Sequence, residues 1–262
     1  MACGDCCTAE RRGLTMRLTV IGSGDAFGSG GRFHTCFLLE TAKGTLLLDC
    51  GASALSALKV HNLGLDRVDG IVLSHLHGDH FGALPFLLLD WQFLTKRERP
   101  LVIAGPPGTR ARLDQLLEVS FPRSSHSIWR FHWEVVEIAL DRETDIAGHI
   151  VRTTEVIHQS GAPSTAVRLS DGRRVVAYSG DTEWTDALLP IAADSDLFIC
   201  ECYSYSGGIT GHLSWDVLRR RWRDLRARRV MVTHMSPTML DRRDEVRTAG
   251  LLVAEDGAVI DL

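Results

Sequence analysis

The densest chemistry in the sequence lies at Ser74-His75-Leu76-His77-Gly78-Asp79-His80, directly after the apolar run Gly70-Ile71-Val72-Leu73. Imidazoles and a carboxylate packed this closely at a strand end are costly unless a strong charge is paired with them. Nitrogen and carboxylate donors at this spacing suit a metal ion. Gly78 lets the chain turn so that His75, His77, Asp79 and His80 converge from one loop. Other polar residues share the same placement: His158 follows Val156-Ile157, Asp181 follows the run ending at Tyr178, Glu201 follows Leu197-Phe198-Ile199-Cys200, and His234 follows Val230-Met231-Val232. Strand ends on one edge of packed sheets meet, so these scattered positions can build one cleft. Taken singly, His158 and His234 are as readily structural, and Asp181 as readily an Asx turn.

Such a cleft needs a scaffold, and the chain alternates strand and helix signals. Strands are expected at Arg17 to Ile21, Thr35 to Glu40, Thr45 to Leu48, Gly70 to Leu73, Leu101 to Ala104, Trp133 to Ile138, Ile150 to Ile157, Thr165 to Leu169, Arg174 to Tyr178, Leu197 to Cys200 and Val230 to Val232. Helices are expected at Ser53 to His61, Phe81 to Leu94, Thr109 to Val119, Glu183 to Ala192 and Ser214 to Arg226, with Thr109 and Ser214 as caps. Asp171-Gly172 and Asp256-Gly257 are hairpin signals. Gly28-Ser29-Gly30-Gly31 leads into a strand rather than a helix, which argues against a phosphate-cradling loop.

With 262 residues, 45% hydrophobic and 24% charged, the composition is that of an ordinary globular α/β enzyme. One domain is expected over residues 17–262, preceded by a flexible leader at 1–16. The net charge of -4 gives no global pull toward nucleic acid, and Lys96-Arg97, Arg219-Arg220-Arg221, Arg228-Arg229 and Arg242-Arg243 read as solvated surface. Seven cysteines are an odd number, and Cys50, Cys200 and Cys202 lie in apolar segments, so free thiols and a reducing cytoplasm are expected. No apolar stretch is long enough to cross a bilayer, so no membrane partner is expected. The start, Met1-Ala2-Cys3-Gly4-Asp5-Cys6-Cys7, lacks the form of a signal peptide, and Met16 is an alternative start.

The HxHxDH pattern followed by Phe81-Gly82-Ala83-Leu84-Pro85, together with Asp49-Cys50-Gly51, Ser179-Gly180-Asp181-Thr182 and Thr233-His234, resembles the metallo-β-lactamase superfamily from Arg17 to His234. The resemblance implies a four-layer αββα sandwich with two divalent metal ions. His75, His77 and His158 would hold one, Asp79, His80 and His234 the other, and Asp181 would bridge them. Zinc suits these donors, as do manganese and iron. Two such ions acidify a shared water, so a hydrolase is the economical expectation.

Within the superfamily, Ser179-Gly180-Asp181-Thr182, Ile199-Cys200-Glu201-Cys202 and Gly211-His212-Leu213-Ser214 resemble the ribonuclease Z and phosphodiesterase branch. That resemblance implies a catalytic set of Asp79, Glu201 and His212, with Glu201 orienting His212 and His212 protonating the leaving oxygen. The competing reading pairs Glu201 with an arginine and leaves His212 as a helix cap. Two departures are visible. The stretch from His158 to Asp181 holds one compact hairpin where tRNA-processing members insert a long arm, and His212 is followed by Leu213-Ser214 rather than Ser-Thr. The expected activity is therefore on a small-molecule or nucleotide phosphodiester. RNA, through tRNA 3′-processing, and lactones, thioesters or sulfate esters are the alternatives. A di-iron redox protein would need a flavin partner, and a non-catalytic binding protein would not need the full ligand set. The same resemblance implies a homodimer.

Overall fold

The computed structural model describes residues 16–124 and 127–262. The first sheet is built from β1 (Arg17–Gly22), β2 (Cys36–Glu40), β3 (Thr45–Leu48), β4 (Gly70–Val72), β5 (Leu101–Gly105) and β6 (Trp133–Glu137). The second contains β7 (Glu143–Ile146), β8 (His149–Glu155), β9 (Thr165–Ser170), β10 (Val175–Tyr178), β11 (Leu197–Glu201), β12 (Val230–Thr233) and β13 (Leu252–Val253). The last strand, β14 (Val259–Asp261), returns to the first sheet, giving the orders β14-β1-β2-β3-β4-β5-β6 and β13-β12-β11-β10-β9-β8-β7.

Period-two alternation sends side chains to two different cores, because both faces of each sheet are buried. In β2, Phe37 and Leu39 face the other sheet while Cys36 and Leu38 face helices; in β11, Leu197 and Ile199 face the first sheet while Phe198 and Cys200 face helices. Helices Ala54–Val60, Leu84–Leu89 and Thr109–Ser120 cover the first sheet, and Leu188–Ala192, Trp215–Arg221 and Arg243–Thr248 cover the second. The result is the expected αββα sandwich. Strands β3 to β6 are mutually parallel, as are β10 to β13. Because β9 is antiparallel to both β8 and β10, β8 points the same way as β10. Parallel strands deliver their carboxyl ends, and the loops that follow, to one edge.

Several local expectations are corrected. The helix expected over Phe81 to Leu94 is split into Gly78–Phe81, Leu84–Leu89 and a π-helical turn at Asp90–Leu94. Pro85 has no N–H to return to Phe81 and so starts a new helix. The helix expected from Glu183 begins only at Leu188, since Glu183 N is bonded to Ile157 O at 3.1 Å. The helix from Ser214 runs Trp215–Arg221 and ends in a 3-10 turn at left-handed Arg226. Neither expected cap forms: Gly108 takes the position before the helix at φ 94°, Thr109 Oγ1 donates instead to Pro106 O at 2.6 Å, and Ser214 makes no capping bond.

Asp256-Gly257 does not close a hairpin; it carries the chain from one sheet to the other. The Asp256 carboxylate accepts from Ser23 N at 2.8 Å and Phe33 N at 2.8 Å, and so binds this crossover to the first sheet. The polar edge strand β7 carries no apolar pattern and was not anticipated. Arg97 is not solvated surface: it is 1% exposed, its guanidinium donating to Val68 O and Pro100 O at 2.7 Å beside Trp91. Met16, grouped with the leader by sequence, is buried between the sheets. The rest of the expected leader, with Cys3, Cys6 and Cys7, lies outside the described residues. Among the described residues no helix is long and apolar enough to cross a membrane.

Candidate metal centre

The loop after β4 carries His75 and His77, and the short helix Gly78–Phe81 carries Asp79 and His80. His158 follows β8, Asp181 follows β10, Glu201 ends β11 and His234 follows β12. All converge at one edge of the sandwich. One donor atom each from His75, His77 and His158 lie within 4.8 Å of one another, and the same holds for Asp79, His80, Asp181 and His234. Asp181 Oδ2 is central: it lies 3.3 Å from Nε2 of both His80 and His234, 3.9 Å from His75 Nε2 and 4.0 Å from His158 Nε2.

The test of fit is what these side chains do for hydrogen bonds. His75 Nε2, His80 Nε2 and Asp181 Oδ1 are buried and have no hydrogen-bond partner, while His234 turns its Nε2 to Asp79 Oδ2 and Asp181 Oδ2 at 3.2 and 3.3 Å. Carboxylate oxygens of Asp79 and Asp181 stand 3.2 and 3.3 Å from His80 Nε2, close enough for ionic attraction but without hydrogen-bond direction. Orphaned buried donors and acceptors clustered in one place are rare in native proteins. A divalent cation is the group that these nitrogen and oxygen atoms fit, and the buried thiols Cys36, Cys50, Cys200 and Cys202 take no part in the cluster.

The opposite ring edges are fixed. Asp49 Oδ2 accepts from His80 Nδ1 at 2.7 Å and from Ser74 Oγ at 2.7 Å, while Ser74 Oγ accepts from His75 Nδ1 at 3.1 Å. His158 Nδ1 donates to Gly211 O at 2.7 Å. Each bond places the proton on Nδ1 and turns the Nε2 lone pair toward the cluster, as metal-binding histidines require. Asp49 and His234 reach the cleft from left-handed backbone, φ 56° and 58°, a conformation that aspartate and histidine tolerate better than most residues. Asp49 and Gly211 were not among the expected site residues. The Asp49-Cys50-Gly51 motif after a strand was the one available signal for Asp49.

Electrostatics divide the cluster. Burial pushes His75, His77 and His158 down, toward the neutral form that binds metal. At His80 and His234 burial acts in the same sense, but the charges of Asp181 and Asp79 overcome it, raising His234 to about 9 and His80 well above its ordinary value. Burial would raise Asp79 and Asp181, yet the neighbouring histidines hold both well below the usual carboxylate range.

Beside this cluster, Glu201 Oε1 accepts from His212 Nδ1 at 3.0 Å and from Thr182 N at 2.7 Å, and Oε2 accepts from Tyr203 N at 3.2 Å. Glu201 thus takes His212 and backbone as partners, not an arginine. Burial lowers His212, but its bond to Glu201 and that carboxylate's charge raise it above the ordinary value overall. Its ring lies against those of Tyr203 and His158, both at 4.9 Å. The His212 side chain is 18% exposed, against 0% for Glu201.

Fold and site together define a metal-dependent hydrolase of the metallo-β-lactamase superfamily, in its ribonuclease Z-like branch. Within it the chain belongs to the family described as anti-Pycsar protein Apyc1, which matches residues 16–257. It is 30% identical over 220 residues to an anti-Pycsar protein Apyc1 of Bacillus phage vB_BsuM-Goe3, covering 78% of this chain and 82% of the relative. It is 28% identical over 228 residues to "Probable metallo-hydrolase YhfI" of Bacillus subtilis strain 168, covering 84% and 87%. Among solved structures, the short form of human tRNase Z superposes with a TM-score of 0.75 at 25% identity, covering 94% of this chain and 98% of that one.

Proposed function

We propose that this protein is a phosphodiesterase for small diesters, cyclic nucleotides included, working with two divalent ions, with zinc the first to test. The observation that carries the reading is the 3.0 Å contact from His212 Nδ1 to Glu201, beside a centre held together by Asp181. His75, His77 and His158 would hold one ion, Asp79, His80 and His234 the other, with Asp181 between them. Such ions acidify water and screen the charge of a phosphoryl group. The chain's own residues supply the rest. In hydrolysis a water oxygen forms a bond to phosphorus and gives up a proton to solvent as the bond to the leaving oxygen breaks, and His212 regains a proton from solvent before the next turnover. Imidazolium His212 gives its Nε2 proton to that leaving oxygen, while Glu201 holds the ring and supports its charge.

Small substrates are favoured by the short link between His158 and Asp181. It consists of β9, the Asp171-Gly172 turn and β10, with Val175 paired to Ser170 and no protruding arm. Likeness to proteins named ribonuclease Z supports precursor tRNA as a second reading. The test is protein loaded separately with zinc, manganese or iron and assayed on cyclic nucleotides, bis(p-nitrophenyl) phosphate, precursor tRNA, a lactone, a thioester and a sulfate ester. Metal-dependent turnover of the small phosphodiesters with weak tRNA cleavage is expected. Efficient 3′ cleavage of precursor tRNA with poor diester turnover would reverse the preference, and turnover confined to the other esters would reject it.

A further inference from the structure

A cavity of about 300 Å³ lies against the outer side of the His212 loop, lined by Trp184, Ile209, Thr210, His212 and Val217 among others. Its lining joins the apolar Trp184, Ile209, Leu213 and Val217 to the polar Glu183 and Ser214, and includes none of the metal cluster's residues. Ile209 is 49% exposed although it is a large apolar residue, and it sits three positions before His212, whose backbone N–H it accepts at 3.0 Å. The Trp184 indole is pinned from two directions: Nε1 donates to Asp186 Oδ1 at 3.2 Å, and the Arg221 guanidinium lies 4.4 Å from the ring centroid. A wall fixed before binding costs less ordering when a ligand arrives.

The position of this cavity follows from the direction of proton transfer. His212 Nδ1 is taken by Glu201, so the proton leaves from the other edge of the ring, and the leaving oxygen must sit there. His212 itself lines the cavity, so the group carried by that oxygen lies within reach of it. The geometry points to the Trp184–Ile209 cavity as the subsite for the leaving group, shaped for the planar heterocycle of a nucleoside. A volume of about 300 Å³ is at the small end for ligand pockets, enough for one nucleoside and too little for a folded RNA. Base contact with an aromatic wall tolerates different bases, so the subsite recognises that a base is present more than which base it is.

This assignment rests on the phosphodiesterase reading and is tested apart from it by two substrates: a nucleoside 3′,5′-cyclic phosphate and the 3′,5′-cyclic phosphate of 1-O-methylribose, which lacks the base. Metal-loaded wild-type protein is expected to prefer the base-bearing substrate about tenfold or more in kcat/KM, the size of one base–aromatic contact. Trp184→Ala collapses that ratio toward one, chiefly through KM, and Trp184→Phe largely keeps it. Ile209→Ser, at a half-exposed position with little folding risk, reduces the ratio in the same direction. Equal kcat/KM on both substrates in the wild type overturns the subsite while leaving the phosphodiesterase reading standing. An unchanged ratio in both Trp184→Ala and Ile209→Ser also overturns it. Turnover of neither substrate by the loaded wild type removes both.

Discussion

The carbonyl oxygen of Gly211 accepts the Nδ1 proton of His158 at 2.7 Å, and Gly211 N donates to Glu183 Oε1 at 2.8 Å. The residue immediately before His212 is thus also the one that orients His158, so the candidate metal centre and the proposed proton donor share one peptide. Gly211 sits at φ 81°, and a Cβ there would come within 2.8 Å of His158 Nδ1.

Gly211→Ala should therefore disturb both functions together. Left-handed backbone disfavours alanine, and the new methyl pushes the imidazole out of line. The expected outcome is about a tenfold or greater loss in metal affinity, as for other losses of a bond that orients a ligand. Equilibrium dialysis with zinc checks it, and a fall in kcat should accompany it.

Asp181→Ala should abolish stable binding of both ions, because its Oδ2 faces nitrogens from both halves of the cluster. Asp49→Asn should be milder, on the order of 10–100-fold in affinity, since it removes no candidate ligand and only weakens the bonds that orient His80 directly and His75 through Ser74. Elemental analysis after chelator treatment and reconstitution distinguishes the two.

His212→Ala should lower kcat by on the order of a hundredfold or more with metal content intact. The penalty should shrink for nitrophenolate leaving groups, which need less protonation. Because Glu201 raises the His212 pKa, the acid form persists to higher pH, and activity should fall as pH rises through that raised value. Glu201→Gln removes the charge, so the same loss should occur at lower pH. A pH profile of kcat on an alkyl diester reads both effects.

Acid stability should depend on His149, far from the cluster. Its Nδ1 donates to Ala147 O at 3.0 Å and its Nε2 accepts from Thr41 Oγ1 at 2.7 Å, an arrangement that suits the neutral ring. Burial lowers its pKa, so at acid pH the unfolded chain binds the proton more readily. Stability should decline as pH falls below about 6.5, the ordinary histidine value, and continue to decline through the depressed one. Urea midpoints of wild type and His149→Gln across that range isolate the effect: the wild type's advantage should shrink as pH falls.

Arg97→Lys should destabilise the fold by about 3 kcal/mol, a size typical of a broken buried hydrogen-bond network around a charged group. Lysine cannot reproduce the guanidinium's donation to Arg99 O, Val68 O and Pro100 O, each at 2.7 Å. Chemical denaturation reads the change directly.

The sequence by itself determined that a polar cluster would sit at strand ends, because apolar runs ending in His, Asp or Glu show in local pattern. The unbroken apolar runs of β4 and β11 likewise marked buried strands. Tertiary structure alone decided the contacts that aim the cluster. Asp49 reaches His80 across 31 positions because parallel β3 and β4 lie side by side, and Gly211 reaches His158 across 53 because the loops after β11 and β8 meet at one edge of the second sheet. Arg97 looked like surface because charge predicts exposure. Its burial depends on backbone carbonyls, which no residue type advertises, being brought around it by the fold. The crossing at Asp256-Gly257 has the same origin, since a hairpin signal specifies a turn while the carboxylate's partners at Ser23 and Phe33 specify the sheet it enters.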